Sequence, residues 1–237
     1  MDTSEKFPIR INRYLALQKI STRKGADELV SQGAVTINGR VAKLGDQVQK
    51  TDKVEVAEKV RKTSADFTYV AYYKPRGIVT HSPQEGEKDI AKVAGFPGLF
   101  PIGRLDKESE GLIILTNDGR VTDALLNPKS KHEKEYRVVV RENIPAKVAD
   151  MLKRGVSNAG EKLHAKEAEV TGGQTIKIVL TEGKTHQVRR MLDVAHLTVE
   201  KLKRVRIMDI ELGGLGSGES RKLTGVELEK FLKALGF

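Results

Sequence analysis

One carboxylate in this chain stands where chemistry is possible. The run Phe100-Pro101-Ile102-Gly103-Arg104-Leu105-Asp106-Lys107 sets Asp106 after an apolar strand-like segment and a Gly-Arg corner, and a second strand-like run, Leu112 to Leu115, follows. An acidic residue at a corner between two buried strands can be held rigidly and aimed at a substrate. Asp is among the side chains that act as nucleophiles without metal, cofactor or thiol. Alone, Asp106 reads more readily as a type I turn residue capping its own backbone. His186 and Gln187 invite a general-base or metal reading, but His81, His132, His164 and His196 form no ligand set with His186, and the sequence has no Cys. We therefore expect no metal site. Tyr136, alone, is an ordinary residue at the head of a strand.

The elements that must hold these residues fall into two groups. Over residues 1–62, Ile11, Leu15, Ala16 and Leu17 sit at roughly helical spacing, and Leu29 and Val30 fall on a second helix starting near Ser21 or Thr22. Val35-Thr36-Ile37-Asn38-Gly39-Arg40 reads as a strand entering an Asn-Gly turn, with Val41 leading back and Val54–Val56 as a further strand. Residues 58–66 lose periodicity and read as a linker, and we place a domain boundary between 1–62 and 63–237.

Beyond the linker, strands are predicted at Tyr69–Tyr73, Tyr136–Val140 and Val205–Leu212, and helices at Val121–Leu126, Ile144–Leu152 and Val226–Leu235. Lys166–Val170 and Thr175–Leu180 form a hairpin around Gly172-Gly173. Val188, Met191, Leu192 and Ala195 mark one face of a helix. Strands joined mostly by hairpins, with helices between, predict an α+β fold with a mixed, mainly antiparallel sheet. Gly213–Gly218 reads as a flexible loop without the strand-to-helix setting of a dinucleotide site.

The 237 residues carry a net charge of +10, which calls for a polyanionic partner, nucleic acid above all. Residues 1–62 hold 13 Lys/Arg against 8 Asp/Glu, and residues 182–206 hold 7 against 3. Arg10, Arg13, Arg23, Lys24, Arg40 and Lys43 form one basic group; Lys184, Arg189, Arg190 and Arg204 belong to a second, and together they suggest a track for RNA phosphates. No stretch approaches the ~18 apolar residues of a membrane span, and Met1–Arg13 has no apolar run resembling a signal peptide. Absence of Cys fits a reducing compartment. We expect a cytoplasmic protein without a membrane partner.

The Asp106 run closely resembles the catalytic motif of RNA pseudouridine synthases of the RsuA/RluB/RluF family. Three further segments match that family in order: Tyr73-Lys74-Pro75-Arg76-Gly77, His132-Glu133-Lys134-Glu135-Tyr136, and Glu182-Gly183-Lys184-Thr185-His186-Gln187-Val188-Arg189-Arg190-Met191. In residues 1–62, Ile11-Asn12-Arg13-Tyr14-Leu15, Ser21-Thr22-Arg23-Lys24, Gly33-Ala34-Val35 and Ile37-Asn38-Gly39 resemble an S4 RNA-binding domain of two helices and a small sheet. Lys24-Gly25 departs from its usual basic-acidic pair, and a helical Gly costs about 0.5–1 kcal/mol relative to Ala.

The resemblance implies that Asp106 is the catalytic carboxylate, whether it attacks C1′ or acts otherwise. It implies that Tyr136 is the aromatic residue over the flipped uracil and Arg189 the cation paired with Asp106, with Arg190 the competing assignment. Arg104 matches a position that fills the stack vacated by the base, or else contacts a phosphate. The implied activity is isomerisation of uridine to pseudouridine in ribosomal RNA or an assembly intermediate, with 23S rRNA favoured, no cofactor and a monomeric enzyme. The alternatives are a synthase for 16S rRNA or tRNA, a non-catalytic RNA-binding assembly factor, and a metal-dependent nuclease, which the lack of clustered ligands disfavours.

Overall fold

The computed structural model describes residues 7–18, 20–21, 23–57 and 67–237. The linker expected at 58–66 lies outside these, as does the Lys24 side chain. Two compact units are present, one holding residues 1–67 with the short segment 118–121, the other 68–117 and 122–237.

The first unit begins with β1 (Ile9–Arg10), α1 (Ile11–Leu17) and α2 (Arg23–Ser31), followed by β2 (Val35–Ile37), β3 (Arg40–Val41), β4 (Gln47–Val48) and β5 (Val54–Val56). Ile11 and Leu15, one helical turn apart, bury one face of α1 against Ala26, Val30, Val35 and Val48. Asn38 and Gly39 both take positive φ, 51° and 81°, the backbone of the tight turn whose twist matches the flanking strands. β2 accordingly pairs β3 on one side and β5 on the other, all antiparallel. The short pair of β1 with β4 is too brief to show in the hydrophobic pattern.

The second unit opens with β6 (Tyr69–Lys74), α3 (Ile90–Val93), β7 (Phe100–Ile102), β8 (Glu110–Thr116) and α4 (Arg120–Leu126). Next come β9 (Lys134–Val140), α5 (Lys147–Arg154), β10 (Val156–Asn158), β11 (Glu161–Leu163), β12 (Glu167–Gly172) and β13 (Thr175–Leu180). The chain closes with α6 (Gln187–Val194), β14 (Val199–Ile207), β15 (Ile210–Glu211), β16 (Ser220–Lys222) and α7 (Gly225–Ala234). The main sheet runs β12-β13-β9-β14-β8-β6-β16, with β7 on β8 and β15 on β14. Its one parallel pair is β14 with β8, at the centre. Around that pair the sheet is antiparallel, so the domain is α+β with a mixed sheet.

Central position explains composition. β6 is buried at every residue and β8 at all but its first, so neither shows the alternation of a half-exposed strand. One core joins β9 and β13 to α5 and α6 through Val138, Ile176, Ile178, Leu152, Met191 and Leu192. Another packs β6 and β8 on Ile90 of α3. The expected strand at 205–212 is instead the end of a longer strand and a reversal. β14 starts at Val199, Met208 takes φ of 50°, and Ile210–Glu211 returns on it. A single left-handed residue inside an apolar run leaves no mark in periodicity. Among the described residues, no helix is long and apolar enough to cross a membrane.

Candidate active site

Asp106 lies on the 103–109 loop between β7 and β8, which pair antiparallel from Phe100↔Thr116 to Ile102↔Ile114. The loop is fixed through its backbone. Leu105, buried in the core, gives its N–H to Thr80 Oγ1 at 3.1 Å, and the same hydroxyl donates to Leu105 O at 2.7 Å. Ser109 N–H donates to Asp106 O at 3.0 Å, and Gly77 N–H to Lys107 O at 2.8 Å. Arg204 Nη1 donates to Arg104 O at 3.4 Å. These bonds use main-chain atoms and leave the Asp106 carboxylate free to face outward, 38% exposed.

That carboxylate stands at a cavity of about 530 Å³ lined by Arg104, Asp106, Tyr136, Lys184, His186 and Arg204, among others. The volume falls in the range of ligand pockets. Tyr136 is buried on β9, opposite Arg204 of β14. The head of its strand is clamped by Arg206, which donates to Glu135 Oε2 and Glu133 Oε2, each at 3.1 Å, and to Met208 O at 2.7 Å. Lys166 also pairs with Glu133. Tyr136 is thereby held on a rigid element.

The group at Asp106 is His186, whose Nε2 lies 3.4 Å from Oδ1. The sequence pointed to His186 only as a lone His. Its contact depends on backbone at φ 50°, ψ 28°, just ahead of α6, a left-handed conformation uncommon for a residue with a side chain. Gln187 is structural. Nearly buried, it accepts from Lys184 N–H at 3.1 Å and donates to Glu182 Oε1 at 2.8 Å.

Arg189 is not brought into ion-pair distance of Asp106 among the described residues. Its Nη2 donates to Glu108 O at 3.1 Å, so it touches the same loop two residues further on. Arg190 faces the β10–β11 hairpin, donating to Asn158 Oδ1 at 2.9 Å, Asn158 O at 2.8 Å and Glu161 Oε2 at 2.6 Å. Lys184 gives its ammonium to Lys162 O at 2.7 Å. Arg204 was expected among surface phosphate contacts and is 3% exposed, because it belongs to the central strand of the sheet.

In the first unit, Arg10, Arg13 and Arg23 line one concavity with Asn12. Arg40 and Lys43 are exposed on the β3 side, where Arg40 Nη2 is paired with Asp46 Oδ2 at 2.9 Å.

Lys74 ends β6 with no exposed surface, its ammonium donating to Pro75 O at 2.8 Å and Ile78 O at 2.7 Å. Burial drives its pKa down to about 8, against the attraction of Asp106 and Glu108. Lys134, on the cavity wall, is also lowered by burial and then by the charge of Arg204. The described residues contain no group of three His, Cys, Asp or Glu able to hold a metal ion.

A family model described as RNA pseudouridylate synthase matches residues 68–193, and one described as S4 domain matches residues 9–54. The chain is 36% identical to the dual-specificity RNA pseudouridine synthase RluF of Escherichia coli (strain K12), over 96% of this chain and 79% of that protein. It is 33% identical to the ribosomal large subunit pseudouridine synthase B of Bacillus subtilis (strain 168), over 95% of this chain and 96% of the relative. A solved structure titled as a pseudouridylate synthase superposes with a TM-score of 0.68 at 28% identity, covering 96% of this chain and 99% of the other.

Proposed function

The chain belongs to the RNA pseudouridylate synthase family, and on that premise we propose that it isomerises uridine to pseudouridine in ribosomal RNA, 23S rRNA favoured, with Asp106 as the catalytic carboxylate. The reaction breaks the bond between ribose C1′ and uracil N1, turns the base, and joins C1′ to C5. The proton on C5 leaves and N1 gains one, so atoms balance without a cofactor. What the reaction needs is a carboxylate near the sugar, a chamber that keeps the detached base, and access to an extruded nucleotide.

The observation that carries this reading is Asp106 held by backbone bonds at a cavity it shares with buried Tyr136. Tyr136 offers the base a ring to stack on, an interaction worth about 1–3 kcal/mol per base. Arg104, exposed at the cavity, fits either filling the vacated stack or meeting a phosphate beside it. Arg189 steadies the Asp106 loop through Glu108 O, and its charge reaches the site from there. Lys184 supplies positive charge at the cavity, while Arg190 serves the hairpin it already holds. Residues 1–62 act as an RNA-binding module, with Arg10, Arg13 and Arg23 converging on one concavity and Lys24, Arg40 and Lys43 as further contacts; residues 63–237 form the catalytic domain, and the protein works as a monomer in the cytoplasm. The ribosomal substrate follows from what the relatives' names state of those proteins.

The test is to map pseudouridines in ribosomal RNA from cells with and without the protein, then to supply purified enzyme to the unmodified RNA. One position should be restored by the wild type and not by Asp106→Asn, with RNA affinity within several-fold. Turnover by Asp106→Asn at the wild-type rate would exclude the carboxylate.

A further inference from the structure

His186 reaches Asp106 from a turn that its neighbours fix. Its Nε2 lies 3.4 Å from Asp106 Oδ1, both residues line the cavity, and the His186 side chain is 56% exposed. The turn ahead of α6 is tied at several points. Gln187, 3% exposed, accepts from Lys184 N–H at 3.1 Å and donates to Glu182 Oε1 at 2.8 Å, and its own N–H donates to Lys184 O at 3.2 Å. Arg190 donates its N–H to His186 O at 2.9 Å and its Nη1 to Thr185 O at 3.5 Å. Held this way, His186 takes φ of 50° and ψ of 28°, a conformation that strains a residue with a side chain. The ring makes no capping bond to α6, so the helix does not account for the strain. What the conformation delivers is contact with the carboxylate.

Once the new bond to C1′ forms, uracil C5 carries both the sugar and its original hydrogen. The C5–H pair then becomes the C5=C6 double bond, the C6=N1 pair moves to N1, and N1 takes a proton from solvent. A base must therefore stand beside the atom joined to C1′. Asp106 works on the sugar from roughly 3–3.5 Å, so a group touching its carboxylate borders C5 as well. We infer that His186 is a further catalytic residue, its neutral imidazole taking the C5 proton through Nε2 and passing it to solvent from its exposed edge. This rests on the pseudouridine synthase reading and adds to it the base that completes the isomerisation. Carboxylates are weaker bases than imidazole, and a phenol keeps its own proton at neutral pH, so imidazole is the class matched to this transfer. The imidazolium that forms faces the Asp106 carboxylate. That attraction is absent before the transfer and therefore favours the step.

The experiment uses the full chain and ribosomal RNA from cells lacking the protein, prepared with hydrogen or deuterium at uracil C5. His186→Asn removes the base and suits the left-handed backbone, which Asn adopts readily. It should bind RNA within about threefold of wild type and slow single turnover by more than about tenfold. Its C5 isotope effect should exceed that of the wild type, because proton removal becomes the slow step. Imidazole added to His186→Gly should restore part of the lost rate. A role confined to positioning Asp106 would instead slow cleavage of the glycosidic bond and leave the isotope effect no larger. That outcome, or a rate in His186→Asn within about twofold of wild type, would overturn the inference.

Should both variants fail to fold, the wild type carries the test through pH. The charged and titratable groups that share the cavity with the imidazole are Asp106 and Arg104 of the loop, Lys134 and Tyr136 of β9, Glu182 and Lys184 of the turn, and Arg204 of β14. None of these is a second imidazole, the side chain that ordinarily changes charge between about pH 5 and 8. Proton removal needs the neutral ring, so the wild-type C5 isotope effect should grow as pH falls through that range. A constant isotope effect would again overturn the inference. A wild type inactive on the authentic RNA would instead sink the function proposed above, a result distinct from any of these.

Discussion

Asp106 owes its aim to residues remote in sequence. Thr80 holds Leu105 at both its N–H and its C=O, and Lys74, buried at the end of β6, holds the turn that in turn bonds Lys107 O through Gly77. The motifs singled out Asp106 and Tyr136, and the fold brings both to the wall of one cavity. The buried ammonium of Lys74 and the 3.4 Å approach of His186 were not legible, since each depends on burial or on one left-handed backbone position. Lys74 carries a prediction at this scale. Its folded pKa of about 8 lies below the ordinary lysine value of 10.5, so between those values the unfolded chain binds more protons. Stability contributed by Lys74 therefore rises with pH across that window and is flat below it. The difference in urea midpoint between wild type and Lys74→Met, measured from pH 7 to 10.5, should grow in favour of wild type only above about pH 8. A difference constant over that range would mean that Lys74 is not desolvated as described.

At the scale of elements, the site exists because β14 runs parallel to β8 at the centre of the sheet and antiparallel to β9. That placement brings the Asp106 loop, Arg204 and Tyr136 to one cavity. Alternation and turn signals located β9, β13 and the Gly172-Gly173 hairpin, but strand order across β8, β14 and β9 is a long-range choice that no local pattern encodes. The β10–β11 hairpin escaped notice for a different reason: its three-residue strands are mostly polar and exposed, with only Val156 and Leu163 buried. One residue makes the central pairing possible. At Gly111, φ is +105°, and an added Cβ would stand 2.3 Å from Arg204 O and 2.8 Å from Arg204 N. Both contacts are with backbone of the parallel partner, which cannot swing aside as a side chain would. Gly111→Ala should therefore part β8 from β14 and cost at least ~3 kcal/mol, from overlap and a strained φ together. Chemical denaturation measures it, and a loss under 1 kcal/mol would show that the two strands separate more easily than their packing suggests. Turnover should fall further than stability alone explains, because Arg204 moves with its strand.

Over the whole molecule, charge is unevenly distributed, and the function proposed above assigns holding RNA to one part and acting on it to the other. Residues 1–62 carry 13 Lys/Arg against 8 Asp/Glu, and Arg10 and Arg23 stand exposed around one concavity of the first unit. In the second basic group, Arg190, Arg204 and Arg206 are instead engaged with protein partners, so the sequence overstated the charge available there to phosphates. A fragment of residues 63–237 should remain folded by circular dichroism, since two hydrophobic clusters among the described residues lie wholly within it, and should bind ribosomal RNA more weakly. The salt dependence of binding tests the division directly. Each phosphate neutralised on single-stranded RNA contributes about 0.7 to the slope of log K against log salt. Replacing Arg10 and Arg23 together by Gln should flatten that slope by roughly one unit and weaken binding to most RNAs alike, with single-turnover rate at saturating RNA unchanged. Arg204→Lys should leave the slope as it is and lower the rate. Equal slopes for wild type and the Arg10/Arg23 double variant would mean that the concavity does not meet the RNA backbone, and a reduced slope for Arg204→Lys would return that arginine to the phosphates.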